Sequence, residues 1–362
     1  MEAVEDENKQ DEDRRDESRQ DEKLEEKRGT SSGMAVFRNF EEGVPTVEKP
    51  FGKALLEVAR ERPEIVGLTA DLAKYTDIDL FAEDFPERYF QVGMAEQNLV
   101  GITAGLARAG KVPFATSYCS FVARRAYDFI AIAIAEGRLN AKIIAALPGL
   151  TTSYGATHQG IEDLALMRAI PNLTIVDPCG ATEIEQMVPA IAEYEGPVYM
   201  RTLRGRVKRV LDANAYDFEL GKAQRLREGS DVALVSAGIM TDRALQAAEE
   251  LSEEGIEASV VHVSTVKPLD TDTILQAARE AGAVVTMENH TLVGGVGTAI
   301  TDAMMQEGLS VPVRKIGLPD EFMECGSVPY LTYKHGVSTE HAVEAAKEIH
   351  ARKKGHAQMQ DA

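Results

Sequence analysis

The sequence predicts an α/β protein built as two doubly wound domains. Short β-branched or aliphatic runs alternate with helical patterns along most of its 362 residues. Gly and Pro punctuate the ends of the runs, Pro178 and Pro197 among them. An irregular, polar stretch interrupts the alternation once, past the middle, and a second α/β series follows. The length suffices for two domains that each bury a core of their own.

In order, the first series reads as strands at 64–68, 112–115, 142–146, 173–177 and 198–201. Helices fall at 51–61, 95–109, 124–136, 160–169 and 182–192. A mostly parallel sheet covered on both faces is the expected product. The second series reads as strands at 232–236, 258–263, 283–287 and 311–316. Its helices are at 242–254, 272–281 and 296–307, with a last one near 339–350. The predicted organisation is an extension over 1–40, a first domain over 47–212, a linker over 213–228 and a second domain over 229–355. No internal repeat is visible.

Composition narrows the function. Hydrophobic residues are 44% and charged residues 27% of the chain, as in soluble globular proteins. No apolar run approaches the roughly 20 residues that cross a bilayer. The N-terminus lacks the apolar core of a secretory signal, so a cytoplasmic protein is expected. The formal net charge of −20 argues against a nucleic-acid partner, which needs a basic footprint. Cys119, Cys179 and Cys325 are widely spaced and never in C-x-x-C form, so neither a disulfide framework nor a zinc site is expected. The first 28 residues interleave acids with Arg14, Arg15 and Lys27 and carry almost no large apolar side chains. Such a segment cannot offset its ordering entropy and reads as disordered. Met34 offers an alternative start.

Common catalytic motifs are absent. There is no G-x-x-x-x-G-K-[ST], no H-E-x-x-H and no G-x-S-x-G. Gly294-Gly295-Val296-Gly297 lacks the last glycine of a dinucleotide fingerprint, where Ile300 stands, and reads as a tight turn opening a helix.

The informative segment is Phe90-Gln91-Val92-Gly93-Met94-Ala95-Glu96-Gln97-Asn98, which leads from a strand into a helix. Glu96 falls in the first turn, where an acid complements the helix dipole. Glycines at 93, 101 and 105 suit a helix packed closely at an interface. Gly93 to Asn98 resembles the glutamate motif of transketolases and of 1-deoxy-D-xylulose-5-phosphate synthase. The resemblance runs from about residue 51 to about 349. It implies a thiamine-diphosphate pyrimidine-binding domain followed by a transketolase C-terminal domain. It also implies that Glu96 bonds the ring nitrogen of the cofactor's aminopyrimidine and promotes the tautomer that deprotonates the thiazolium carbon. That chemistry asks for a poorly solvated carboxyl group able to hold a proton near neutrality.

Further residues follow the same likeness. Tyr118 and Phe121, three apart, match aromatics that stack on the aminopyrimidine, and Arg125 lies one turn on. Asp71, in Thr69-Ala70-Asp71-Leu72, resembles an aspartate near the cofactor. Gly155-Ala156-Thr157-His158-Gln159-Gly160 is similar to a Thr-His-Gln motif whose histidine faces the substrate, which favours ketol transfer over a 2-oxo acid dehydrogenase beta-type subunit. Arg204 matches an arginine that holds substrate phosphate, and its planar fork suits an oxyanion.

The sequence also departs from the family. Tyr154 stands where transketolases carry an aspartate that reads a substrate hydroxyl. No second substrate histidine occurs near Ala146 and Leu147. No Gly-Asp-Gly motif appears, so the diphosphate and its Mg2+ or Ca2+ are expected on a partner alpha subunit, in an α2β2 heterotetramer of carbohydrate metabolism active only when assembled. The alternatives are a decarboxylating carboligase like 1-deoxyxylulose-phosphate synthase, and a catalytically silent assembly chain.

Overall fold

The computed structural model describes residues 44–360. The acidic extension expected over 1–40 lies outside the described residues. No helix among them is long and apolar enough to cross a membrane.

Fourteen strands are described. Those of the first half are β1 (Thr46–Glu48), β2 (Ile65–Thr69), β3 (Tyr89–Gln91), β4 (Val112–Tyr118), β5 (Lys142–Ala146), β6 (Thr174–Val176), β7 (Val198–Thr202) and β8 (Arg206–Lys208). Those of the second are β9 (Gln224–Arg227), β10 (Val232–Ser236), β11 (Ala258–His262), β12 (Thr265–Lys267), β13 (Val284–Thr291) and β14 (Val313–Leu318). A seven-stranded sheet runs β12-β6-β7-β5-β4-β2-β3, and a five-stranded sheet runs β14-β13-β10-β11-β9. Within these two sheets all neighbours are parallel except β12 on β6 and β9 on β11, and β1 and β8 form a separate antiparallel pair. The central strands are buried along their whole length, which is why they read as unbroken apolar runs rather than alternating ones.

The helices that matter for the site are α1 (Pro50–Glu61), α2 (Asp79–Asp84), α3 (Glu96–Arg108), α4 (Cys119–Arg125), α5 (Asp163–Ala169) and α6 (Ala181–Glu193). In the second domain α7 (Met240–Glu253), α8 (Thr271–Ala281), α9 (Val296–Gln306), α10 (Val328–Lys334) and α11 (Thr339–Gln360) complete the fold. This is the two-domain α/β architecture expected.

Beyond short elements not expected, such as α2, α10 and the β1–β8 pair, three features differ from the expectation. The single helix over 124–136 is instead the short α4 followed by a π-helix at Phe129–Ala135, which buries Ile130 and Ile134 and leaves Phe129 and Ile132 exposed. Within the stretch expected as linker, Gln224–Arg227 pairs as edge strand β9. Strand β12, from the second half of the chain, joins the first sheet, with Thr265 opposite Val176. That crossover makes one continuous apolar cluster of residues from both sheets, Ile175 and Val266 among them.

The seam between the sheets carries buried charge. Arg201, 1% exposed, meets Asp163 at 3.0 Å and Asp177 at 2.7 Å. Nearby, the His262 ring lies 2.8 Å from Glu183, whose Oε2 also accepts from the Cys179 backbone N–H at 2.7 Å. Tyr216 donates to the other Glu183 oxygen, and Thr241 bonds the second His262 nitrogen at 2.7 Å. Cys179, Glu183 and His262 are metal-type donors within 4.8 Å of one another, the one such group among the described residues. Hydrogen bonds close both Glu183 oxygens and both His262 nitrogens, so the group acts as a latch between domains.

Candidate active site

The site is assembled at the carboxyl ends of β2, β4, β5 and β7, the usual location in an open parallel sheet. After β3 the chain turns at Gly93 (φ 75°), a left-handed position that favours glycine, and enters α3 at Glu96. The Glu96 residue is 2% exposed. Arg125, at the end of α4, donates through Nη1 to both carboxylate oxygens at 2.9 and 3.0 Å. The same guanidinium lies 4.2 Å from the centroid of Phe121. A planar, nitrogen-bearing cation therefore stacks on Phe121 while hydrogen-bonding Glu96.

Phe121 leads to the rest of the cluster. Its ring centroid is 5.6 Å from Tyr118 and 5.2 Å from His158. Tyr154 approaches His158 edge-on at 5.3 Å. Thr157 Oγ1 shares a 2.9 Å hydrogen bond with His158 Nδ1, so Nε2 is the nitrogen available to a ligand. Burial, then the Arg125 charge, lowers the His158 pKa, and the ring is neutral at neutral pH. Ala146 and Leu147, near which no second histidine occurs, pack with Tyr118 and Phe121 as an apolar floor. Leu147 holds φ at 56°, a strained setting for a branched residue.

Arg204 sits beyond Tyr118. It is 9% exposed, and its Nε and Nη2 are buried with no hydrogen-bond partner. Burial raises the Tyr118 phenol pKa, and the Arg204 charge opposes it. Asp71 is exposed and reaches the cluster only indirectly: Gln91 bonds the Asp71 carboxylate at 3.0 Å and the Gly93 N–H at 3.0 Å. The structure thus gathers Glu96, Tyr118, Phe121, Arg125, Tyr154 and His158, with Arg204 at one end and Asp71 at the margin.

Sequence reasoning missed Arg124. Its guanidinium pairs with Glu162 and donates to the Ala156 and Gln159 carbonyls, both at 3.0 Å, splinting the loop that carries His158. Nothing in a pair of adjacent arginines says that one grips the cluster and the other a distant loop. Tyr75 and Asp77, beside Arg204, were missed as well.

The glycine turn Gly294–Gly297 is no ligand site. Val296 and Gly297 donate their N–H groups to Glu288 at 2.6 and 3.1 Å, so the N-terminus of α9 is filled by the chain's own carboxylate. A Cβ on Gly295 would stand 1.9 Å from Glu288 Oε2, which explains the glycine. Burial pushes the Glu288 pKa up to about 7, against the two N–H donors. The folded state then holds a proton that the unfolded chain releases between pH 4.5 and about 7. Measured against Glu288→Gln, the wild type should gain about 3 kcal/mol as pH falls from 7.5 to 4.5. Denaturant titrations across that range check it, and parallel pH profiles for the two proteins would refute it.

The sequence and fold both match known proteins. Residues 44–209 match the family described as "Transketolase, pyrimidine binding domain", and 221–342 match "Transketolase, C-terminal domain". A transketolase family protein of Sinorhizobium fredii is 54% identical over 306 residues, 84% of this chain and 89% of the relative. The 6-deoxy-6-sulfo-D-fructose transketolase subunit SqwH of a Clostridium species is 41% identical, covering 83% of this chain and 92% of its own. A solved structure described as "Split gene transketolase, inactive beta4 tetramer" superposes with a TM-score of 0.78 at 43% identity, over 84% of this chain and 98% of that one.

Proposed function

Because the chain belongs to the transketolase family of thiamine-dependent transferases, we propose that it is the beta subunit of a split, cytoplasmic transketolase. In this reading it moves a two-carbon ketol unit from a ketose donor to an aldose acceptor. A partner alpha subunit holds the diphosphate and its Mg2+, in an α2β2 assembly. Two of the similar proteins are described as a transketolase subunit and a split-gene transketolase, which supports a two-chain enzyme.

The observation that carries the reading is the buried Glu96 carboxylate beside the Phe121 ring. Arg125 already makes the two contacts an aminopyrimidine needs: its plane lies on Phe121 and its N–H bonds Glu96. The residues fit the cofactor once Arg125 swings aside. When bound, thiamine diphosphate supplies the electron sink for carbon–carbon cleavage.

The chain's own residues do the rest. Glu96 holds a proton at the pyrimidine nitrogen, in a place water does not reach. Phe121 and Tyr118 wall the ring and exclude solvent. Neutral His158 offers Nε2 to a sugar hydroxyl or carbonyl and moves a proton there. Tyr154 supplies an aromatic edge to the substrate side, and Asp71 steadies the Glu96 turn through Gln91. Arg204 takes an oxyanionic head, a role supported by the sulfonated ketose in the name of the Clostridium relative.

Calorimetry tests the division of labour. Thiamine diphosphate with Mg2+ titrated into this chain alone should give no tight binding. Adding the partner chain should produce it, together with ketol transfer. Tight binding by the isolated chain would overturn the split site.

A further inference from the structure

Around Arg204 the structure builds more than one arginine. Its two unpaired nitrogens, Nε and Nη2, form one edge of the guanidinium fork, the parallel N–H pair that fits two oxygens of a phosphate, sulfonate or carboxylate. Buried donors are costly to leave unmade, so a bare edge on a nine-tenths-buried arginine is kept for a ligand.

Over that guanidinium lies Tyr75, its ring centroid 5.3 Å from Cζ. The same ring meets Tyr118 edge-on at 6.4 Å. Tyr75 is 45% exposed, so it is not there to fill a core. It ends a short 3-10 turn, Ala73–Tyr75, that is pinned immediately afterwards. Thr76 Oγ1 donates to the Leu72 carbonyl at 3.0 Å and bonds Thr116 of β4 at 2.8 Å. Asp77, in a left-handed conformation (φ 60°), accepts from the Gly205 N–H at 2.7 Å. Gly205 directly follows Arg204. The turn carrying the ring and the loop carrying the guanidinium are therefore stapled within two residues of their contact.

We propose that Tyr75 is a positioning residue for Arg204: its ring holds the guanidinium plane and keeps water off it, so that the bare Nε–Nη2 edge receives the oxyanionic head of the sugar substrate. The inference rests on the assignment of Arg204 to substrate binding and adds the residue that makes it selective. A stacked, desolvated guanidinium binds an oxyanion more tightly than a solvated one, and it leaves uncharged sugars unaffected.

The test uses the enzyme assembled with its alpha partner and preloaded with thiamine diphosphate and Mg2+. Inorganic phosphate is titrated in by calorimetry, and kcat and KM are measured with D-fructose 6-phosphate and with D-fructose. Tyr75→Ala should weaken phosphate binding and raise the KM for the phosphate ester, each about tenfold, with kcat and the D-fructose constants unchanged. Tyr75→Phe, which keeps the ring, should restore both. Equal losses on the two sugars, or a loss confined to kcat, would overturn the proposal. Arg204→Ala separates the two levels of the argument. If it abolishes phosphate binding while Tyr75→Ala leaves that binding unchanged, the positioning role falls and Arg204 keeps its own. If Arg204→Ala changes nothing, both fall.

Discussion

Glu96→Gln is expected to lower kcat of the assembled enzyme by about 10²- to 10⁴-fold, the usual contribution of a positioned acid or base, with little change in stability. The Glu96 residue is 2% exposed at the first turn of α3, and Arg125, the cation paired with it among the described residues, has a half-exposed side chain. Glutamine preserves the volume and an acceptor for Arg125, and the half-exposed guanidinium keeps its access to water, so the fold should lose little. What it loses chemically is the ability to hold and release a proton at the pyrimidine nitrogen. The expected pattern is therefore a collapse of turnover with an unchanged melting curve and cofactor binding still measurable in the assembled enzyme. Steady-state kinetics beside thermal melts read out both halves. A variant that keeps more than a tenth of wild-type kcat would remove Glu96 from the chemistry.

Much of the fold was legible because its signals are local. Buried strands such as β5 and β10 announce themselves as short aliphatic runs, and Pro178 and Pro197 mark strand ends. What stayed hidden depends on distant partners. Strand β12 has too few residues to show a pattern, and it exists because Val176 of β6 lies across from Thr265. Edge strand β9 is polar at Gln224, Arg225 and Arg227 and only partly buried throughout, so its four residues read as linker. The apolar stretch after Arg125 suits any helical winding, and periodicity alone does not separate a π-helix from an α-helix.

The site divides the same way. Glu96 and His158 sit in compact motifs whose neighbours identify them. Arg125 was singled out as a contact to the cofactor, and the structure gives it a partner inside the chain, Glu96, 29 residues away. Arg124 pairs with Glu162, 38 residues away, and Asp77 bonds Gly205, 128 residues away. No spacing rule links such pairs before the sheet brings them together.

Arg201→Leu should be the most damaging single change outside the cofactor pocket, destabilising the protein by about 3–5 kcal/mol, the usual cost of stripping one partner from a buried ion cluster. Arg201 donates to both Asp163 oxygens at 3.0 and 3.1 Å, to Asp177 at 2.7 Å and to the Asn289 carbonyl at 3.0 Å. Burial works against its charge, yet the two carboxylates win and hold its pKa above the usual guanidinium value. Leucine leaves two buried carboxylates with no cation between them. Burial already raises the Asp177 carboxyl above its usual range with the arginine in place, so the variant should recover part of its stability in acid. A triple variant, Arg201→Leu with Asp163→Asn and Asp177→Asn, removes the charges together and should regain a large part of the loss. Asp163 also opens α5 directly after the His158 loop, and Tyr199 donates to the same carboxylate at 3.0 Å. Loss of the arginine should therefore lower activity even below the melting temperature. Thermal melts at pH 5 and 8 decide the matter: an Arg201→Leu protein within two degrees of wild type at pH 8 would mean that other contacts bind this seam, whereas a drop of roughly ten degrees that shrinks at pH 5 is what a stranded carboxylate pair demands.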